Sequence, residues 1–247
     1  MKLRLFNLSA CGDKPVNEDF MAHIIHEDFA LFVVADGLGG HLSGAKAAQY
    51  FTEGLIEQAP NFASNISDVP VSVFKDWFNA AISEMANKFG EDETVVDAHT
   101  TCAVLYINDD LVLTAHCGDS RIYRMLPEKI LWRSKDHSKI QGLIDSGEIG
   151  EDEIKNMPNL HHITRSITVN NRHKPTIKIY PPVKVGDTFV VCSDGFWVLM
   201  KESDFLQLAQ QDSDKETLAK YMQIAYVRAD GKSDNITAQM VKVDAVL

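Results

Sequence analysis

Long hydrophobic runs are missing from these 247 residues. No apolar stretch reaches the roughly 20 residues that a membrane-spanning helix needs, so no membrane partner is expected. Met1-Lys2-Leu3-Arg4-Leu5-Phe6-Asn7 carries bases without the apolar segment that follows them in a signal peptide, and a cytoplasmic protein is expected. Basic residues are in deficit: 24 Lys and Arg stand against 35 Asp and Glu, a net charge of −11. That balance argues against nucleic acid or an anionic membrane surface as the main partner. Cysteine is scarce, and Cys11, Cys102, Cys117 and Cys192 form no Cys-x-x-Cys pair. Three of them sit in apolar, strand-like runs, and the pattern reads as small buried hydrophobes in a reducing compartment. Repeats, low-complexity segments and long linkers are also lacking. With 45% hydrophobic residues the chain can bury a sizeable core. One domain over 1–247 is expected, as a monomer by default.

The apolar run Phe29 to Ala35 reads as a fully buried strand. It stops at Asp36, and Gly37-Leu38-Gly39-Gly40 then places three glycines in four positions. An acid at the mouth of a buried strand is costly to keep charged unless a cation or donor meets it. A turn aspartate bonding its own backbone is the ordinary alternative.

Phe20 to His26 reads as a strand, joined to the next through a turn at Glu27-Asp28. The hairpin puts Glu18, Asp19 and Asp36 on one edge of a sheet. Ala45, Ala48, Phe51, Leu55 and Ala59 recur at helical spacing, as do Phe74, Trp77, Phe78, Ala81, Ile82, Met85 and Phe89. A loop with Pro60 and Pro70 is expected between these two helices. Strands over 101–107, 111–117, 122–126 and 129–132 read as one antiparallel meander, interrupted at Gly118-Asp119-Ser120-Arg121. Residues 136–174 are polar, and a mobile flap over about 138–174 is expected. His161-His162 is poor geometry for one metal ion, since neighbours on extended chain face opposite ways. Asp136-His137-Ser138 cannot be a hydrolytic triad, which needs groups converging from separate elements. Thr188 to Ser193 is a second buried strand ending in Asp-Gly, at Asp194-Gly195. Helices follow near 203–210 and 216–228, and Asp234 opens a last strand over 236–243.

Six acids thus share one description. Glu18, Asp19, Asp36, Asp119, Asp194 and Asp234 lie at predicted strand ends beside Gly, Asn or Ser. If brought together they repel, and their pKa values rise unless cations sit among them. All-oxygen sites select Mg²⁺ or Mn²⁺. A carboxylate cluster holding two such ions suits hydrolysis of a phosphate ester.

The ordered set Asn17-Glu18-Asp19, Val34-Ala35-Asp36-Gly37-Leu38-Gly39-Gly40-His41, Gly118-Asp119-Ser120-Arg121, Asp136-His137-Ser138, Ser193-Asp194-Gly195 and Ser233-Asp234-Asn235-Ile236-Thr237 resembles the metal-dependent serine/threonine protein phosphatases, the type 2C enzymes, in their compact bacterial form. The resemblance spans nearly the whole chain. It implies an α+β fold, a four-layer α/β/β/α sandwich of two antiparallel sheets flanked by helices, with a flap insertion. It also implies two Mn²⁺ or Mg²⁺ ions bridged by Asp36. Asp194 and Asp234 would complete the first ion's ligands, and Glu18 and the Gly37 carbonyl would hold the second. Asp119, helped by Asp194, would hold a weaker third ion. Asp19 would orient metal-bound water, and a metal-bridging hydroxide would attack phosphorus in line with no phosphoenzyme.

The implied substrate is a phosphoserine or phosphothreonine protein, and the implied counterpart a Ser/Thr kinase. Lys14 stands where the family usually carries a phosphate-gripping arginine; it keeps the charge without the bidentate fork, so weaker phosphate binding is expected. Leu38 stands where many eukaryotic relatives have a histidine general acid, and His41 is expected to pack or bond the turn. His99-Thr100-Thr101 replaces a common Gly-Thr-Thr, with no mechanistic account. Two other readings are a phosphatase of small phosphate esters and a catalytically silent phosphoprotein-binding module. The second predicts missing acids, and none is missing.

Overall fold

The fold is built around a strand buried on both faces. In the computed structural model, which describes residues 1–39, 42–90, 98–150, 153, 162–170 and 174–246, β3 (Phe29–Leu38) carries a core of fully buried residues from Ala30 to Ala35. It pairs with β2 (Asp19–Ile25) on one side and β5 (Cys102–Asn108) on the other. β6 (Val112–Cys117) and β9 (Thr176–Tyr180) extend that sheet in the order β2-β3-β5-β6-β9, and the short β4 (His99–Thr100) pairs with the end of β3. The second sheet runs β1-β11-β10-β7-β8, from β1 (Lys2–Ala10), β11 (Ile236–Ala245), β10 (Thr188–Cys192), β7 (Arg121–Leu126) and β8 (Lys129–Arg133). Every described pairing is antiparallel.

Strand alternation sorts the side chains into layers. Phe32, Val34 and Leu105 point inward and meet Ile122, Phe189, Val191 and Val241 of the second sheet. Leu31, Val33 and Val104 point outward under α1 (Leu42–Phe62) and α2 (Pro70–Phe89), whose Phe51, Leu55, Trp77 and Phe78 complete that core. The outer face of the second sheet, with Val190, Cys192, Ala238 and Met240, is covered by α4 (Asp194–Trp197), α5 (Glu202–Leu208) and α6 (Lys215–Arg228). This is the expected four-layer sandwich. Burial on both faces explains why β3 and β10 read as continuous apolar runs rather than alternating ones.

Three local expectations need correction. The single meander is two hairpins in different sheets: β6 pairs with β9, and β7 pairs with β10. The chain changes sheets at Gly118, whose φ of +100° breaks the strand. Periodicity cannot report this, because alternation is the same whichever neighbour a strand takes. Pro60 lies within α1 and Pro70 begins α2, so the connection between the helices is shorter than two prolines imply. Proline fits the first helical turn because its missing N–H has no partner there. The glycine turn also begins later than expected. β3 continues through Gly37 and Leu38, which pair with Thr100 and His99. Gly40 and His41 lie outside the described residues, as do His161 and much of 151–160 within the expected flap. The described part of that segment includes α3 (Lys139–Ser146), capped by the Ser138 hydroxyl, which accepts from the Gln141 N–H.

Candidate metal centre

The seam between the two sheets gathers strand ends from both. Asp19 and Asp36 are register partners across β2 and β3. From the other sheet, Asp194 opens α4 directly after β10, and Asp119 sits in the crossing between β6 and β7. Carboxylate oxygens of Asp36, Asp119 and Asp194 all lie within 4.8 Å of one another.

Each acid is held by its surroundings. The Asp36 N–H donates to Thr101 Oγ1 at 3.0 Å. Its carbonyl accepts from the Thr101 N–H at 2.8 Å and the Thr100 hydroxyl at 3.0 Å. Thr101 Oγ1 also bonds Ser120 Oγ at 2.7 Å, tying Asp36 to the Gly118-Asp119-Ser120 turn. The Asp119 carbonyl accepts from Trp197 Nε1 at 2.9 Å, so α4 secures Asp119 as well as presenting Asp194. Trp197 in turn carries the Arg121 guanidinium 3.2 Å from its ring centroid, and Arg121 forks onto both oxygens of Asp136 at 2.8 and 2.7 Å. Asp136 is thereby spent on a buried ion pair.

Glu18 is fixed through its main chain. Its N–H donates to Asn235 Oδ1 at 2.8 Å, and its carbonyl accepts from the Gly37 N–H at 3.1 Å. Asn235 Nδ2 donates to the carbonyls of Cys11 and Val16, clamping the whole N-terminal loop. Lys14, midway along that loop, places Nζ 3.1 Å from Asp234 Oδ2. Close approach requires glycine at several points, two of them directly after the clustered acids. A Cβ on Gly37 would lie 2.3 Å from the Gly44 carbonyl, and one on Gly195 would lie 2.1 Å from the Asn235 carbonyl.

The electrostatics of this cluster call for a cation. Burial raises the Asp36 pKa well above the usual carboxylate range, and the charges of Asp19, Asp194, Asp119 and Asp234 raise it further. Burial likewise pushes Asp19 up to about 7, against the hydrogen bond it accepts from Ser193 Oγ at 2.7 Å. The other oxygen of Asp19 is buried and, among the described residues, has no hydrogen-bond partner, a costly state that a nearby cation or its water would relieve. For Lys14, burial lowers the pKa, but the hydrogen bond and charge of Asp234, with Asp194 and Asp36 beyond, raise it overall. An all-oxygen, largely buried donor set of this kind fits Mg²⁺ or Mn²⁺.

The family profile for Protein phosphatase 2C matches residues 9–240. The chain belongs to the protein phosphatase 2C family. With the family comes its enzyme class, protein-serine/threonine phosphatase. The protein phosphatase PhpP of Streptococcus pneumoniae is 27% identical over 247 residues, covering 96% of each chain. The solved serine/threonine phosphatase of S. agalactiae superposes with a TM-score of 0.80 at 26% identity, over 98% of this phosphatase 2C chain and all of that one. The catalytic domain of PstP, solved in complex with two manganese ions, has the same fold, with a TM-score of 0.79 at 23% identity over 98% and 99% of the two chains.

Sequence reasoning missed the residues that aim the acids. Thr100 and Thr101 match a common Gly-Thr-Thr pattern from which only His99 departs, and the sequence assigns them no role. Asn235 and Ser193 appeared inside motifs without roles, and Trp197 was not singled out. The adjacency of Asp-Gly-Phe-Trp was the one available signal, a short segment beginning with an acid and ending with a large hydrogen-bond donor.

Proposed function

We propose that this phosphatase 2C chain hydrolyses phosphoserine and phosphothreonine in protein substrates at the seam cluster, opposing a Ser/Thr kinase in the cytoplasm. The observation that carries the reading is the convergence of Asp36, Asp119 and Asp194 within 4.8 Å from three separate strand ends. When bound, two Mn²⁺ or Mg²⁺ ions acidify an attacking water and offset charge developing on the phosphoryl group.

The chain's own groups then divide the work. Asp36 would be shared between the two ions, with Asp194 and Asp234 on one and Glu18 and the Gly37 carbonyl on the other. Asp119 would hold a third with Asp194. Asp19, steadied by Ser193, would orient water beside Asp36. Lys14 would offer its ammonium to the substrate phosphate, and its pairing with Asp234 draws that charge to the rim of the site. Residues 1–247 act as one catalytic domain, with 138–174 as its insertion.

The test is hydrolysis of a phosphothreonine peptide by the purified protein in Mn²⁺, in Mg²⁺ and in EDTA. Turnover that requires a divalent ion supports the proposal. Folded, metal-loaded protein that turns over neither this peptide nor an aryl phosphate would overturn it. Turnover of the aryl phosphate alone would move the substrate class to small esters.

A further inference from the structure

Asp136-His137-Ser138 is present as a motif, and two of its members are already spent: Asp136 on Arg121, and Ser138 on capping α3. His137 has a different set of contacts. Its Nδ1 lies 3.2 Å from the Gly118 N–H, and its own N–H donates to the Gly118 carbonyl at 2.8 Å. It therefore grips the residue before Asp119 through both its N–H and its carbonyl.

A backbone N–H can only donate, so Nδ1 accepts and the ring proton sits on Nε2. That nitrogen donates to Thr176 Oγ1 at 2.8 Å, at the start of β9, while the Arg165 guanidinium, itself only a donor, packs 3.4 Å away without a hydrogen bond to it. The His137 carbonyl accepts from the Thr164 N–H at 2.7 Å. His116 stacks on the ring with centroids 4.6 Å apart, and its Nε2 bonds the Lys135 carbonyl. The ring is thus fixed in plane and in tautomer. Ser120 and the Asp119 carbonyl are held by Thr101 and Trp197, within the sandwich. His137 adds the contact that reaches outward, through its carbonyl, to Thr164 of the insertion.

We propose that His137 is a positioning residue for Asp119: its Nδ1 fixes the Gly118-Asp119 turn for metal binding, its Nε2–H anchors the ring to Thr176 of β9, and its carbonyl ties that turn to Thr164 of the 138–174 insertion. Partners that orient metal ligands are worth about 10–100-fold in metal affinity. The inference rests on Asp119 being a ligand, as read above.

The two atoms of the ring can be separated chemically. In His137→Asn, Oδ1 takes the place of Nδ1 and still accepts from Gly118. In His137→Gln, the longer amide reaches toward Thr176 and leaves Gly118 without its acceptor. Isothermal titration of Mn²⁺ into the metal-free protein, with thermal melts alongside, reads both. The expected result is a 10–100-fold weaker Mn²⁺ step in His137→Ala and His137→Gln, recovered to within about threefold in His137→Asn. If wild type binds no Mn²⁺, the proposed function itself fails. Wild-type-like Mn²⁺ affinity in His137→Ala, with only a lower melting temperature, would overturn the inference and make His137 a structural staple. Asn and Ala variants of equal Mn²⁺ affinity would overturn it as well.

Discussion

Asp36-Gly37 and Asp194-Gly195 are the same dipeptide at the ends of two buried strands, yet the chain does different things after each. After Asp36 it stays extended, and Gly37 pairs with Thr100. After Asp194 it coils at once into α4, with Asp194 in the first turn. Neither glycine needs a positive φ. What they share is a carbonyl pressed against the Cα, from Gly44 in one case and from Asn235 in the other. The dipeptide therefore marks a place where another segment crosses close to a carboxylate. The two crossings come from opposite halves of the sandwich, and they bring Asp36 and Asp194 to one point.

The sharpest way to break that symmetry is to remove one charge at a time. Asp36→Asn and Asp194→Asn should each lower kcat on a phosphothreonine peptide about a thousandfold. The loss follows from the several kcal/mol a metal supplies at about 1.4 kcal/mol per tenfold. Losses agreeing to within about tenfold are expected if both acids serve one ion. A variant retaining a tenth of the wild-type rate in saturating Mn²⁺ would show that the two strand ends serve different ions.

Gly37→Ala and Gly195→Ala sharpen the comparison at the level of packing. Each added methyl meets backbone, so each should cost about 1–3 kcal/mol of stability by urea denaturation. The two should differ. Gly44 sits in the first turn of α1, which can shift as a unit, whereas Asn235 is pinned by hydrogen bonds to Cys11, Val16 and Glu18. Gly195→Ala should therefore be the more destabilising, and the reverse order would mean that the N-terminal loop yields before α1 does.

Protonation distinguishes the seam from the rest of the molecule. In the metal-free protein Asp19 is raised to about 7 and Asp36 is raised too. Between the ordinary carboxylate pKa of about 4 and that value, the folded state holds protons that the unfolded chain has released. Stability from these groups is therefore present at low pH and lost as pH rises through 7. Thermal melts in EDTA should fall between pH 5.5 and 8, while the increment from Mn²⁺ should grow, because ligands must deprotonate to bind. An increment equal at both pH values would detach the raised pKa values from the metal centre.

The parts of this site that were legible in sequence are those with a pattern. Phe29 to Ala35 and Thr188 to Cys192 announce buried strands, and an acid following each is visible against so much carbon. The hairpin placing Asp19 opposite Asp36 follows from a short turn. What was not legible is the choice of neighbour. β6 and β7 alternate alike whether they pair with each other or lie in different sheets, and only the positive φ of Gly118 separates them. The roles of Thr100, Thr101 and Asn235 were hidden for a related reason. A hydroxyl or amide that aims a ligand across the fold has no periodicity, and its partner is dozens or hundreds of residues away.

Gly142 supplies the opposite case to Gly37 and Gly195. It lies in the middle of α3, without a positive φ, and a Cβ there would meet none of the described residues within 4 Å. Its only effect in the folded state is the backbone freedom it lost, so Gly142→Ala should stabilise by about 0.4–1 kcal/mol. For a chain of this size that is a rise of roughly 1–4 °C in melting temperature. A fall would show that the space around α3 fills in solution. A rise accompanied by slower turnover of a protein substrate, with turnover of an aryl phosphate unchanged, would carry more information. The glycine would then serve movement of the insertion over a large substrate, as Gly37 and Gly195 serve close approach at the carboxylate cluster.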